Sequence, residues 1–417
     1  MHQANLTRFG PLHKLRTTQD PGTHHFNAVA GPGILVVNSP DHAHVQVWLN
    51  EQPVIGPDTG PDIAVTPSTI KDEHKFEVPV TLQSKNALRV NFSDGSPDTA
   101  NIRITQMTEA DLGLERQGYF GLNTTDIERQ REYYKTLGFI GEIYPAGPET
   151  STSFARSLGF EDDYLIYVSL HSLQDPPEPP FVDTVQFRGA SFRSEPPYAA
   201  LNHLGMTYAT YGTTDLDGDY AFLINQGISF LAAPTIGPDG ERFTFMQEPD
   251  GAFIKLMQEP GEVSDTRPNL TRLVNTNMNV SDLERSIEFY RLLGFTRAKS
   301  TSQSGAGDFA AAHGFSQNIA FEGADISLGE GTDGATLQLR QWTEPSDDAP
   351  PYPPPVNHLG IDRINFYVKD LTATINTMND LGFKQLGPVG GWPEFGIVFF
   401  FDPDGIKVQF AGPIPAA

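Results

Sequence analysis

The chain has 417 residues, which is more than one hydrophobic core organises, so we expect two or three domains. Its formal net charge of −24 argues against nucleic acid or an anionic membrane as a partner. The absence of cysteine excludes disulfides, zinc–thiolate sites, iron–sulfur clusters and cysteine nucleophiles. The start, MHQANLTRFGPLHKLR, lacks the apolar segment of a signal peptide, which favours a cytoplasmic location.

The N-terminal quarter of the sequence has the pattern of short strands. Residues 1–25 are polar and predict a flexible arm. Alternating apolar and polar residues at 44–49, 76–80 and 88–92 predict strands, and no helical period separates them. We therefore expect a β-sandwich-like domain over residues 26–110, followed by a short helical linker.

Beyond this region the sequence repeats itself. Residues 125–139 (TDIERQREYYKTLGF) and 281–295 (SDLERSIEFYRLLGF) are identical at eight of fifteen positions. The tetrapeptide Asn-His-Leu-Gly occurs at residues 202–205 and again at 357–360. A Pro-Asp-Gly turn follows an acidic residue at Glu248 and at Asp402. Repetition at this spacing indicates duplicated domains rather than a solenoid.

Each repeat contains a shorter unit of one strand, one helix and three strands, so four βαβββ modules are predicted. The sequences Thr125-x-x-Glu128 and Ser281-x-x-Glu284 have the form of capping boxes at helix starts. Gly138 and Gly294 stand where the helices should end, since glycine adopts the left-handed C-terminal position without strain.

Taken together, these motifs resemble the vicinal oxygen chelate superfamily, which includes glyoxalases, bleomycin resistance proteins and extradiol dioxygenases. The resemblance implies that two modules pair and that their curled sheets form a cup around a small ligand. We expect pairing within residues 117–260, the first glyoxalase-like domain, and within the second domain, 270–417. The predicted fold is therefore α+β, with two curled-sheet cups behind an all-β domain.

The resemblance also implies which residues would stand at the metal-ligand positions, one on each first strand and one on each last strand. In the first cup these positions are Tyr119, Asp183, Tyr208 and Lys255. In the second cup they are Asn275, Gln338, Arg363 and Gln409. An ammonium and a guanidinium have no lone pair to give a metal, and amides are weak ligands. We therefore predict that the protein lacks the superfamily's metal centre and needs no cofactor.

The same residue types suggest other chemistry. In the first cup Asp183 would act as a base, with Tyr119, Tyr208 or Lys255 as acid or electrostatic stabiliser. Alternatively, Asp183 and Lys255 form only a structural ion pair. In the second cup Arg363 would hold a carboxylate or phosphate, and the three amides Asn275, Gln338 and Gln409 would fix polar atoms of the ligand.

Three further residues are candidates for ligand binding. Trp392, in the loop sequence GGWPEF, is placed to cover a planar ligand. His203 and His358, in the repeated Asn-His-Leu-Gly turns, would either line the mouth of a cup or only stabilise their loops.

Three functions are compatible with these patterns. The favoured one is a metal-independent cup that sequesters a small organic ligand or transforms it by acid–base chemistry. The second is a metal-dependent lyase, epimerase or extradiol-type dioxygenase with displaced ligands. The third is a scaffold protein with degenerate cups. If the protein is an enzyme, the residues favour a lyase or isomerase over an oxidoreductase; the sequence fixes neither the ligand nor the oligomeric state.

Overall fold

In the computed structural model the described residues are 1–15, 22–39, 45–55, 66–67, 75–92, 99–143, 152–161, 165–189, 192–197, 200–328, 336–346 and 353–415. The chain divides into two compact units. One consists of Met1–Asp111 with Thr377–Phe383, and the other of Leu112–Asn376 with Lys384–Ala417. No helix within the described ranges is long and apolar enough to cross a membrane.

The N-terminal unit contains two antiparallel sheets, as predicted for residues 26–110. Its strands are β1 (His2–Leu15), β2 (Thr23–Asn27), β3 (Gly31–Asn38), β4 (Val45–Leu49), β5 (Gln52–Ile55), β6 (Thr66–Pro67), β7 (Lys75–Leu82), β8 (Lys85–Phe92) and β9 (Thr99–Ala110). One sheet has the order β1-β9-β3-β7-β6 and the other β2-β8-β4-β5. Apolar residues of both sheets, such as Leu35 and Val90, form one buried cluster.

Two predictions at the edges of this unit differ from the structure. Residues 2–15, expected in a flexible arm, form β1, which pairs with β9 from His2↔Ala110 to Leu15↔Thr99. The segment expected as a helical linker contains the end of β9 and the start of the next strand instead. Ala4 and Leu6 are both buried, so the strand has a period of two that its many polar residues conceal.

The four predicted modules follow along the chain; all of their residues belong to the second unit except Thr377–Phe383, which include the end of α6. Module 1 comprises β10 (Leu114–Asn123), α1 (Ile127–Thr136), β11 (Gly141–Ile143), α2 (Thr152–Ser157), β12 (Leu165–Ser172) and β13 (Phe181–Arg188). Module 2 comprises β14 (Tyr208–Thr213), α3 (Leu216–Asn225), β15 (Thr235–Ile236), β16 (Arg242–Gln247) and β17 (Phe253–Gln258). Module 3 comprises β18 (Leu270–Asn279), α4 (Leu283–Leu292), β19 (Phe295–Gly305), α5 (Asp308–Ala312), β20 (Ile319–Leu328) and β21 (Thr336–Glu344). Module 4 comprises β22 (Gly360–Val368), α6 (Leu371–Asp380), β23 (Gly390–Trp392), β24 (Phe395–Phe401) and β25 (Lys407–Pro413). The α+β fold class is confirmed.

The modules do not pair as predicted. The eight-stranded sheet β11-β12-β13-β10-β22-β25-β24-β23 joins modules 1 and 4, and the sheet β15-β16-β17-β14-β18-β21-β20-β19 joins modules 2 and 3. The first strands meet antiparallel in each case, with Phe120↔Ile364 in one sheet and Ala209↔Thr276 in the other. Pairing within 117–260 and within 270–413 is therefore wrong. We call the two concave sheets the 1/4 cup and the 2/3 cup.

The repeated turn and helix motifs connect neighbouring modules. The helix N-caps are Asp126 and Asp282, one residue later than the predicted capping boxes. Thr125 is not the N-cap. Its hydroxyl donates instead to Asp250 Oδ1 at 2.6 Å, in the Pro-Asp-Gly turn of module 2. Ser281 donates in the same way to Asp404 Oδ1 at 2.5 Å, in module 4. Each turn thus anchors the helix start of the preceding module.

Candidate functional site

Three adjacent strands of the 1/4 cup bring Asp183 and Arg363 to the same level. Gly121 on the central strand β10 pairs with Asp183 of β13 on one side and with Arg363 of β22 on the other. A Cβ atom on Gly121 would lie 2.5 Å from Nε and 2.6 Å from Cγ of Arg363. The missing side chain therefore opens the path along which Arg363 crosses the central strand towards Asp183.

The Arg363 guanidinium is held by two carboxylates. Its Nη2 donates to Asp183 Oδ2 at 2.6 Å and its Nη1 to Asp362 Oδ1 at 2.5 Å. Both partners of the Arg363–Asp183 pair have side chains only 7% exposed. The other oxygen of Asp183, Oδ1, is buried and has no hydrogen-bond partner within the described part of the chain. Both Nη atoms of Arg363 therefore have carboxylate partners, whereas one carboxylate oxygen of Asp183 has no hydrogen-bond partner among the described residues.

Burial and charge set the protonation of this cluster. Burial would lower the pKa of Arg363, but the charges of Asp362 and Asp183 outweigh it and raise that pKa. Burial raises the pKa of Asp183, and the adjacent Arg363 opposes the rise. The Tyr119 hydroxyl donates to Gln409 Oε1 at 2.7 Å, and its pKa is raised by burial and by the charge of Asp183. Tyr119 therefore stays a neutral phenol.

Four of these polar residues, Tyr119, Asp183, Arg363 and Gln409, border a cavity of about 260 Å³ in the 1/4 cup. The rest of its lining is aliphatic and aromatic: Phe154, Leu158, Ile166, Val168, Leu170, Val185, Phe187, Tyr367, Trp392, Phe395, Ile397, Phe399 and Ala411. Trp392 stands edge-to-face against Phe154 at a centroid distance of 5.2 Å, and it is 61% exposed. Helix α2 and strand β23, which carry these two rings, thus lie at the border of the cavity.

The 2/3 cup is filled by protein side chains. At its polar positions Tyr208 donates to Gln338 at 2.7 Å, and Lys255 forms an ion pair with Glu241. The Tyr208 ring contacts Phe245, and the Lys255 ammonium lies 4.6 Å from the centre of the Phe243 ring. An aromatic cluster packs against these groups; it contains Phe243, Phe245, Phe309, His313, Phe321 and Trp342. This cup has the character of a packed core.

His313 is the central residue of that cluster and was not predicted from the sequence. It follows α5, is 4% exposed, and its Nδ1 lies 2.9 Å from the carbonyl oxygen of Phe309. Burial lowers its pKa to about 3, so the imidazole is neutral at physiological pH. Helix α5 has a counterpart, α2, in module 1 but none in the described residues of modules 2 and 4. A comparison of the four repeats therefore does not single out this position.

Part of the second unit matches the model of a known family. Residues 272–410 match the model of the Glyoxalase/Bleomycin resistance protein/Dioxygenase superfamily. Residues 272–410, which include most of modules 3 and 4, are therefore similar to this superfamily. No curated protein sequence matches the chain.

Several solved structures are similar to this chain over part of its length. Glyoxalase I from Zea mays shares 17% identity over 71% of this chain and 92% of its own, with a TM-score of 0.47. A putative dioxygenase from Bacillus subtilis shares 9% identity over 74% of this chain and 87% of its own, with a TM-score of 0.46. A glyoxalase family protein from Bacillus cereus shares 21% identity over 36% of this chain and 100% of its own, with a TM-score of 0.31.

The pairing of modules redistributes the eight positions that the superfamily uses for metal ligands. The 1/4 cup combines Tyr119, Asp183, Arg363 and Gln409; the 2/3 cup combines Tyr208, Lys255, Asn275 and Gln338. The quartet predicted for acid–base chemistry is thus divided between cups. The predicted alternative, an Asp183–Lys255 pair, is wrong, because each residue has a different partner.

The donor groups at these eight positions do not fit a divalent metal. In the 1/4 cup the one carboxylate at a ligand position is paired with a guanidinium, which brings positive charge where a cation would bind. In the 2/3 cup the ligand positions hold a lysine, a phenol and two amides. No group of three His, Asp or Glu side chains in the described ranges could hold a metal ion.

The two repeated histidines lie in loops that asparagines hold in place. Asn279 Nδ2 donates to the carbonyl oxygen of His203 at 2.6 Å, and Asn123 Nδ2 to that of His358 at 2.8 Å. Neither histidine is among the residues that line the cavity of the 1/4 cup. These contacts favour the interpretation that His203 and His358 stabilise their loops.

Proposed function

We propose that this protein binds one small, largely apolar organic molecule in the 1/4 cup, without a metal. The observation that carries the proposal is the cavity of about 260 Å³, with apolar walls and one polar end formed by Tyr119, Asp183, Arg363 and Gln409. This combination is typical of small-molecule sites. Because a cavity of roughly 150 Å³ holds benzene, the volume suits a ligand of about ten non-hydrogen atoms.

The contacts favour binding over catalysis. A general acid or base works best when its pKa is near the working pH. The pKa of Tyr119 is raised far from neutrality, and Asp183 is engaged by Arg363. Tyr208 and Lys255, the other candidates for proton transfer, belong to the 2/3 cup. We therefore favour sequestration or carriage of the ligand over its chemical transformation, and we assign the 2/3 cup a structural role.

A cavity-filling substitution tests this proposal. Val168 lies on β12 and lines the cavity, so Val168→Trp should occupy space that the ligand needs. Ile143, on the neighbouring strand β11, is exposed, and Ile143→Trp is the matched control. With 2-naphthol as the probe, isothermal titration should show one site per chain in the wild type and in the control. Val168→Trp should weaken binding at least about tenfold; wild-type affinity in this variant would refute the assignment.

A further inference from the structure

We propose that the 1/4 cup selects uncharged aromatic molecules that carry a hydrogen-bond donor, such as a phenolic hydroxyl, and rejects carboxylates and phosphates. This inference rests on the proposed function, because it specifies the ligand of the same cavity. It differs from the sequence-based expectation that Arg363 would hold an anionic group.

The cation in the cup is not available to an anion. Arg363 uses Nη2 for Asp183 and Nη1 for Asp362, and Nη1 lies 3.4 Å from Asn123 Oδ1 as well. Two carboxylates therefore surround one guanidinium. Lys407, which pairs with Arg363 in the register of β22 and β25, is buried and directs its ammonium to the carbonyl oxygen of Pro354 at 3.4 Å. An anionic ligand would meet a site whose positive charges are already balanced, and it would lose its hydration without compensation.

The polar end of the cavity offers hydrogen-bond acceptors. Asp183 lines this end of the cavity, and its Oδ1 is enclosed by protein without a hydrogen-bond partner among the described residues, so rotation of the carboxylate would present an unsatisfied acceptor to a ligand. The Tyr119 hydroxyl donates its hydrogen to Gln409, so a ligand can use the Tyr119 oxygen only as a hydrogen-bond acceptor. A ligand hydroxyl or N–H group placed here would satisfy Asp183.

The walls of the cavity favour a ring. Phe154 and Trp392 lie on the solvent side, and Phe187, Phe395 and Phe399 also contribute side chains to the lining. Aromatic rings gain from edge-to-face or offset contacts beyond the burial of apolar area. A neutral, donor-bearing aromatic compound therefore matches both the walls and the polar end.

Three probes of matched shape test this selectivity: 2-naphthol, 2-methoxynaphthalene and 2-naphthoate, titrated into the full chain at about pH 7. The naphthol should bind tightest. The methyl ether, which has no donor, should bind at least about tenfold more weakly, since it cannot donate a hydrogen bond to the charged acceptor. The naphthoate should bind most weakly. Equal or tighter binding of naphthoate by the wild type overturns the inference and leaves the proposed function intact; failure of all three probes to bind overturns both.

The variant Asp183→Asn provides the second test. It removes the charge that occupies Arg363, so the affinity ratio of naphthoate to naphthol should rise at least about tenfold. Glu241→Gln is the matched control, because it breaks the carboxylate pairing of Lys255 in the 2/3 cup and should leave the ratio unchanged. An unchanged ratio in Asp183→Asn, or an equal rise in both variants, contradicts the role assigned to the Asp183–Arg363 pair. The wild-type probe series decides the question even if Asp183→Asn fails to fold.

Discussion

Gly121→Ala should destabilise the protein, although the same substitution elsewhere in a strand is often favourable. The backbone of Gly121 is not in the left-handed region, so alanine is tolerated there by conformation. By itself the exchange would stabilise by about 0.4–1 kcal/mol, through lower entropy of the unfolded chain. The new Cβ, however, would lie 2.5 Å from Nε and 2.6 Å from Cγ of Arg363. The arginine must leave its path, and the Asp183 contact at 2.6 Å is lost.

Breaking a buried ion pair by displacing one partner costs about 3–5 kcal/mol. We therefore expect Gly121→Ala to lower the free energy of unfolding by about 3 kcal/mol, measured by urea titration with circular dichroism. Gly237→Ala is the control in the same unit, because its Cβ would come closest to the side-chain end of Asp239, at 2.9 Å, and would otherwise make ordinary contacts with Phe243 and the Glu241 carbonyl oxygen at 3.4 and 3.6 Å. In an Arg363→Ala background, Gly121→Ala should be neutral or slightly stabilising. A stabilising effect of Gly121→Ala in the wild type would refute the crossing of Arg363 over β10.

Three further predictions follow from other contacts. Burial raises the pKa of Glu248 to about 7, above its ordinary 4.5, so the fold holds this proton more tightly than the unfolded chain. The stability that this proton contributes is complete below pH 4.5 and is lost as the pH rises through 7. In urea titrations at a series of pH values, Glu248→Gln should reduce this decline in the free energy of unfolding by on the order of 2 kcal/mol. Parallel curves for the variant and the wild type would contradict the prediction. Asp404→Ala should lower the free energy of unfolding by about 2–4 kcal/mol. The Asp404 side chain is only 4% exposed, and its carboxylate accepts hydrogen bonds from Ser281 and Arg285, both at 2.5 Å. An unchanged urea midpoint would contradict the connecting role of the turn. Protein purified without chelator should contain substoichiometric nickel, zinc, iron and manganese by elemental analysis, and one tightly held ion per chain would show that the ligand assignment is wrong.

The modules and the polar positions inside the cups could be predicted from the sequence, because both depend on local patterns. Helix starts such as Asp126 and Asp282, and Pro-Asp-Gly turns near Asp250 and Asp404, fix the register of each strand. The register then places Tyr119 and its counterparts on the concave faces.

The pairing of modules could not be predicted, because all four modules carry first strands of the same kind. A strand such as β10 can join β14 or β22 with equal local propensity, and tertiary packing decides between them. The Arg363–Asp183 pair joins residues 180 positions apart, and Asp362 and Gly121 acquire their roles only through it. The packed state of the 2/3 cup depends on His313, whose helix α5 is matched only by α2 of module 1 and is absent from the described parts of modules 2 and 4.

A crystal structure of the protein with 2-naphthol shows which of the two cups receives a ligand. If the 1/4 cup binds it and the 2/3 cup is filled, the ring should lie between Trp392 and Phe399, with its hydroxyl within hydrogen-bond distance of Asp183. Naphthol bound between Tyr208 and His313, or a metal ion on Asp183 with Arg363 turned away, would contradict this assignment.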